Sequence, residues 1–175
     1  MRGKWIYWFG GWIFDFTKAV VFGLFVILIL HFFVFTVIVV SGPSMNDTHH
    51  DGDVMFLEKI SYWFNSPKRG DVVGIYFPSA GPRRLIKRVI GMPGEEITIT
   101  KGKVYINGKE LSEEYLKNNT QTIAETKITL KSDEYFVMGD NRANSLDSRI
   151  YGVLPKSAFV GKKLFFIINF KSLIK

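Results

Sequence analysis

Three parts of this 175-residue chain carry side chains suited to hydrolysis. The first is Ser44, in the run Ser41-Gly42-Pro43-Ser44-Met45. A serine hydroxyl becomes a nucleophile only when a base takes its proton, and a serine beside Gly-Pro serves equally well as a plain turn residue. The second is Lys87, in the alternating run Arg84-Leu85-Ile86-Lys87-Arg88-Val89-Ile90. A period of two puts Leu85, Lys87 and Val89 on one strand face and Arg84, Ile86 and Arg88 on the other. Burial of that apolar face would disfavour the ammonium and leave a neutral amine able to accept a proton; the alternative is a half-exposed lysine that snorkels to water. The third is segment 139–149, which holds Asp140, Arg142, Ser145, Asp147 and Arg149 directly behind the apolar run 134–138. It reads either as an Asx-rich surface loop or as a set of ion pairs and short hydrogen bonds that can fix a site rigidly.

The elements that must position these groups begin with an apolar run. Residues 19–40 contain no Asp, Glu, Lys or Arg. As a helix they would extend roughly 33 Å, enough for a hydrocarbon core of about 30 Å. The run is longer than the apolar part of a cleaved secretory signal, and no Ala-x-Ala follows, so an uncleaved transmembrane helix is expected. Arg2, Lys4 and Lys18 precede it with one acid, Asp15, whereas the first basic residue beyond it is Lys59. That asymmetry predicts a single-pass protein of the cell membrane, with residues 1–18 cytoplasmic and residues 41–175 on the outer face. Trp5, Tyr7, Trp8 and Trp12 fit an interfacial belt, and the lone His31 reads as a tolerated neutral residue ahead of a proton relay.

After the anchor the pattern changes to short alternating segments punctuated by Gly, Pro and Asn, the signature of antiparallel strands. Strands are expected near 53–59, 71–77, 84–90, 95–100, 103–107, 127–130, 134–138 and 158–168. Lys101-Gly102 and Asn107-Gly108 mark two hairpin turns, the second favouring type I′. Residues 112–126 are polar and weakly patterned, a surface excursion. The run 164–170 is too short to span a bilayer and reads as a buried strand or an interfacial element. The expected architecture is mainly β: one N-terminal transmembrane helix and one compact extracytoplasmic β-domain.

Composition narrows the chemistry. With no cysteine there is no disulfide scaffold, zinc-thiolate site, iron–sulfur cluster or Cys nucleophile. The formal charge of +7, from 23 Lys+Arg against 16 Asp+Glu, is spread along the chain without a basic run, which points to a membrane surface rather than nucleic acid. His49-His50-Asp51-Gly52-Asp53 invites a metal reading, but adjacent histidines on an extended chain face opposite sides and no third ligand motif is evident. No metal and no cofactor is expected.

The three segments, in this order behind one anchor, closely resemble type I signal peptidases, membrane-bound Ser/Lys endopeptidases. The family pattern of a Ser-Met pair after the anchor appears as Ser44-Met45. Its Lys-Arg pair before Val-Ile-Gly-x-Pro-Gly appears as 87–94, and its Gly-Asp-Asn-Arg-x-x-Ser-x-Asp-Ser-Arg box as 139–149. The short chain and single anchor are similar to the Gram-positive form. The resemblance implies coiled antiparallel β-sheets shared with repressor-type proteases, Ser44 as nucleophile, Lys87 as general base and Ser145 as the hydroxyl that orients the amine. It further implies Arg88–Asp140 and Asp147–Arg149 ion pairs and a shallow pocket for a small residue, lined by Met45 and Ile86. The substrates so implied are signal peptides of secreted preproteins, with the lipid bilayer and the protein translocase as partners and water as the sole co-reactant. Of the oxyanion donors, the Ser44 N–H is in place, while Gly42 stands where Gram-negative members carry a serine hydroxyl.

The chain departs from the family's Ser-Met-x-Pro-Thr-Leu, having Asp47 for proline and His49 for leucine. An acid so near the nucleophile would raise the Lys87 pKa, and a polar His49 would change pocket preference. These departures motivate a rival reading, a catalytically silent paralogue that binds an active peptidase or the translocase; retention of Ser44, Lys87 and Ser145 argues against it. A self-cleaving repressor-like protein shares the chemistry but suits neither the membrane span nor the absence of a DNA-binding element.

Overall fold

The apolar run divides where its residues change type. Helix α1 (Lys4–Ile29) is followed by a π-helical turn (Leu30–Val34), and Phe35–Val39 then forms strand β1. The helix therefore starts well before residue 19 and stops well before residue 40. The reason lies in Thr36, Val37, Ile38 and Val39, whose β-branched side chains suit a pleated strand and which find a free edge to pair with. The stretch from Gly11 to Val34, 24 residues, remains long and apolar enough to cross a membrane. From Trp12 to Phe33 its large apolar side chains are exposed along most of the helix, so among the described residues no face of it packs on the domain. The structure, a computed structural model, describes residues 4–167 apart from 47, 82, 118 and 119.

The junction is tied from the β side. Lys59 Nζ donates to the carbonyls of Phe32 (2.9 Å) and His31 (3.4 Å), and the Lys59 N–H donates to Val34 O at 2.9 Å. A cation on the last carbonyls of a helix satisfies acceptors that have no partner within it.

Beyond β1 come β2 (Val54–Glu58), β3 (Val72–Tyr76), β4 (Arg84–Gly91), β5 (Glu96–Thr100), β6 (Lys103–Ile106), β7 (Lys109–Glu110), β8 (Thr126–Thr129), β9 (Glu134–Met138), β10 (Leu154–Pro155) and β11 (Phe159–Ile167). Short helices α2 (Ser61–Phe64) and α3 (Ser148–Tyr151) interrupt them. The strands pair antiparallel in two sheets, ordered β1-β2-β11-β3-β4-β9-β10 and β7-β6-β5-β8. The protein is mainly β, as expected. β1, β7 and β10 are additional: β1 was hidden in the apolar run, and the other two have only two residues each, too few to show a period. Both hairpin turns form, with positive φ at Lys101 and Gly102 and at Asn107 and Gly108, the backbone a type I′ turn requires. In the run 164–170, Leu164 and Phe165 are exposed and Phe165 stacks on Phe56 (4.7 Å between centroids); residues 168–170 lie outside the described residues.

The central strands are buried on both faces. In β9, Tyr135 and Val137 enter one apolar cluster with Val73, Ile75 and Val89, while Phe136 and Met138 enter another with Ile90, Ile97 and Ile99. A third cluster joins Val40, Met45, Met55, Leu57, Val72 and Ile86 beneath the Ser44 segment. Strand β11 crosses β2 so closely at Gly161 that an added Cβ would lie 2.5 Å from the Glu58 carbonyl oxygen. Because that neighbour is backbone, Gly161→Ala is expected to destabilise the domain by about 1–3 kcal/mol of overpacking, read as a lower urea midpoint at unchanged slope.

Candidate active site

Ser44 stands on a turn that leaves β1. Gly42 adopts φ 87°, a conformation that side chains resist, and its N–H donates to Asp51 Oδ1 at 3.0 Å. The turn closes through Asn46 N–H to Pro43 O (3.0 Å) and through the Thr48 and His49 N–H groups to Met45 O (2.8 and 2.7 Å). Segment 139–149 grips it from the other side. The Asn141 N–H donates to Ser44 O and the Asn141 amide to Pro43 O, both at 3.0 Å.

Lys87 reaches the same point from β4. Its side chain is 2% exposed and its Nζ lies 2.8 Å from Ser44 Oγ. From Ile86 to Gly91 the strand is buried on both faces, so Lys87 has no path along which to snorkel. Burial pulls the Lys87 ammonium down to about 8; Asp147 and Asp140 oppose that fall, and Arg149 adds to it.

Segment 139–149 forms a braced loop. Arg88 holds Asp140 in a two-pronged pair, Nε to Oδ1 at 2.8 Å and Nη2 to Oδ2 at 2.6 Å, and its guanidinium lies 3.9 Å from the Tyr115 ring centre. Thr48 Oγ1 adds a third bond to Asp140 Oδ2, at 2.5 Å. Arg149 pairs with Asp147 in the same way, at 2.9 and 2.8 Å. Burial alone would raise the Asp147 carboxyl, but Arg149 and the Gly139 N–H outweigh it and hold the group below its ordinary range. Both expected ion pairs are therefore present.

Ser145 makes no hydrogen bond to the Lys87 amine in this structure. Its Oγ is buried and has no hydrogen-bond partner; the hydroxyl lies near enough to Asp147 to help keep that carboxylate charged, and the Lys87 amine bonds to Ser44 instead. Gly139 fits between Ser145 Oγ and Ser44 O, where any Cβ would overlap both.

A cleft of about 190 Å³ opens beside Ser44, lined by Ile38, Val40, Ser41, Arg84 and Ile86 among others. Of the three residues assigned to substrate, Ile86 lines this cleft, Met45 is fully buried in the cluster beneath it, and Gly42 shapes the turn. Among the described residues both flanking strands have free edges: β1 ends its sheet, and β9 pairs β4 only from Arg88 onward.

Two bracing residues had no assigned role. Arg142 is buried and pairs with Glu113, donates to Thr122 Oγ1 at 2.7 Å and to Gly139 O at 3.1 Å, and so ties the excursion 112–126 to the site. Ser148 Oγ accepts from the Val137 N–H at 3.0 Å. Both lie within 139–149; the partner Glu113, remote in sequence, carried no signal. His49 is buried against Lys163, whereas His50 is exposed. Asp47 lies outside the described residues.

A β-rich domain with a serine at the rim of a strand-bordered cleft is the architecture of a serine peptidase, a hydrolase. Comparison with known proteins agrees. The family model for signal peptidase, peptidase S26, matches residues 13–168. Signal peptidase I T of Bacillus subtilis is 34% identical over 169 residues, covering 91% of this chain and 87% of that protein. A signal peptidase I of Bacillus licheniformis is also 34% identical, over 93% and 92% of the two chains. The crystal structure of a signal peptidase I from Enterococcus faecalis superposes with a TM-score of 0.50 at 31% identity, covering 56% of this chain and 97% of that one. The chain belongs to the signal peptidase family, peptidase S26.

Asp140 is fully buried against Arg88. Removing one partner of such a pair leaves an uncompensated charge, so Asp140→Leu should destabilise by about 3–5 kcal/mol, and the double change Arg88→Met with Asp140→Leu by much less. Urea unfolding of the three proteins checks this.

Proposed function

We propose that this protein is a membrane-anchored endopeptidase that removes signal peptides from secreted preproteins, with Ser44 as nucleophile and Lys87 as general base. The observation that carries the reading is the 2.8 Å contact between Ser44 Oγ and the buried Lys87 amine. With the amine neutral, its lone pair accepts the Ser44 proton as Oγ attacks the scissile carbonyl. The protonated amine then gives that proton to the leaving amino group, and an acyl-enzyme remains. Water next attacks the ester, Lys87 takes a proton from it and passes that proton to Ser44 Oγ as the signal peptide leaves as an acid.

The oxyanion needs donors with no competing bond. The Ser44 N–H donates to no group among the described residues, which supports its use there. Ser145, whose buried hydroxyl lies close to Asp147, is available to the amine once Lys87 releases Ser44. The ion pair Arg88–Asp140 ties the 139–149 loop to β4, and Arg149–Asp147 braces the loop from within. The free edges of β1 and of residues 84–87 suit an extended peptide added as a strand, and the small Ile38, Val40 and Ile86 pocket suits a small residue before the scissile bond.

The exposed apolar helix supports anchoring, and the basic residues before it support a cytoplasmic N-terminus with the domain from Ser41 onward on the outer face. A preprotein emerging from the translocase would meet the cleft there. The silent-paralogue reading is the weaker one, because the Ser44–Lys87 contact is intact despite His49.

Ser44→Ala and Lys87→Met should each lower cleavage of a model preprotein in liposomes by about a thousandfold or more. Undiminished cleavage by Lys87→Met would exclude the mechanism. In the parent, kcat/KM should climb about tenfold per pH unit while Lys87 is protonated and level off above pH about 8. A rate still climbing at pH 10 would mean an ordinary, solvated lysine.

A further inference from the structure

The nucleophile turn is gripped on one side by residues 139–149; on the other stands a contact that the proposed mechanism does not use. His49 is 2% exposed and its Nε2 lies 3.0 Å from Lys163 Nζ on β11, 114 residues later in the chain. The turn that carries Ser44 ends at this imidazole, since the His49 N–H donates to Met45 O at 2.7 Å. The neighbouring Thr48 hydroxyl is bonded to Asp140. Neither His49 nor Lys163 lines the cleft beside Ser44.

We propose that His49 and Lys163 form a polar clamp that positions the Ser44 turn against β11, taking the place of the apolar contact a leucine would make at position 49. The inference rests on the Ser44–Lys87 reading above. A neutral imidazole with its proton on Nδ1 leaves the Nε2 lone pair to accept from the Lys163 ammonium, which gives a directional bond where leucine would give only packing. Among the described residues, the charged groups that act on the ring include Lys163 on β11, Arg88 on β4, Asp140 in the 139–149 loop and Asp53 after the turn. Burial, with Lys163 and Arg88, holds the imidazole down to about 4 against the opposite pull of Asp140 and Asp53, so the ring stays neutral at working pH.

A clamp beneath the turn sets the distance from Ser44 Oγ to Lys87 Nζ and touches no substrate, so its loss should appear in kcat and not in KM. A looser turn also admits water to Lys87 and lets its pKa rise. His49 and Lys163 are thus positioning residues.

The test is a double-mutant cycle on the full-length protein in detergent, with Ser44→Ala as the blank. His49→Leu and Lys163→Met are each expected to lower kcat on a preprotein-derived peptide about tenfold with KM within about twofold, and the double variant to be no worse than either single. The pH midpoint of kcat/KM should move alkaline by about half a unit in each. His49→Gln, whose amide oxygen can still accept from Lys163, should stay within about threefold of the parent. Single effects that multiply in the double variant, unchanged kcat in the singles, or His49→Gln no better than His49→Leu would overturn the clamp while leaving the Ser/Lys reading intact. Should the parent itself cleave no more than the blank, that reading fails instead, and the clamp is judged by melting temperatures: coupled losses at 49 and 163 uphold it, additive ones reject it.

Discussion

An amine kept out of water at hydrogen-bond distance from a serine is the condition on which this site depends. In water a lysine is almost wholly charged at neutral pH and cannot accept a proton. The interior of a β-domain changes this by making the charge costly, and Lys87, 2% exposed on a strand covered on both faces, meets that condition. Its neighbours set how far the change goes: Asp147 and Asp140 favour the charged form and Arg149 resists it. The two carboxylates do not cancel the effect of burial because each is already committed to a guanidinium.

The bracing around that amine comes from several partners. Arg88 and Thr48 converge on Asp140, Arg149 and the Gly139 N–H on Asp147, and Arg142 draws in Glu113 from the polar excursion. Gly139 lets the loop approach Ser44 O more closely than any side chain would allow. Buried networks of this kind hold geometry well when every member is satisfied. Ser145 Oγ is the exception, buried and without a geometric hydrogen-bond partner, and it packs against the same glycine.

The joint between helix and domain is equally specific. No loop separates α1 from β1: the helix passes through one π turn directly into a strand, and Lys59 ties its last carbonyls to the sheet. Ser44 follows five residues after the end of β1, so its place relative to α1 is set by paired backbone and not by a tether.

Much of this was legible before any coordinates. Lys87, Ser44 and the 139–149 box stand out because they match local family motifs, and the hairpins at Lys101-Gly102 and Asn107-Gly108 because positive φ restricts what can occupy them. The antiparallel class followed from alternation, a property of neighbours in sequence. What only the tertiary structure decided are relations between distant segments. The apolar run breaks at Phe35 because the edge of β2 offers hydrogen bonds that no hydropathy pattern contains. Met45 lies under the cleft instead of lining it, since Ile86 from another strand covers that wall. Glu113 meets Arg142, and His49 meets Lys163, across 29 and 114 residues. A local sequence states what each side chain can do; which groups meet, and whether water reaches them, is settled only when the sheets close.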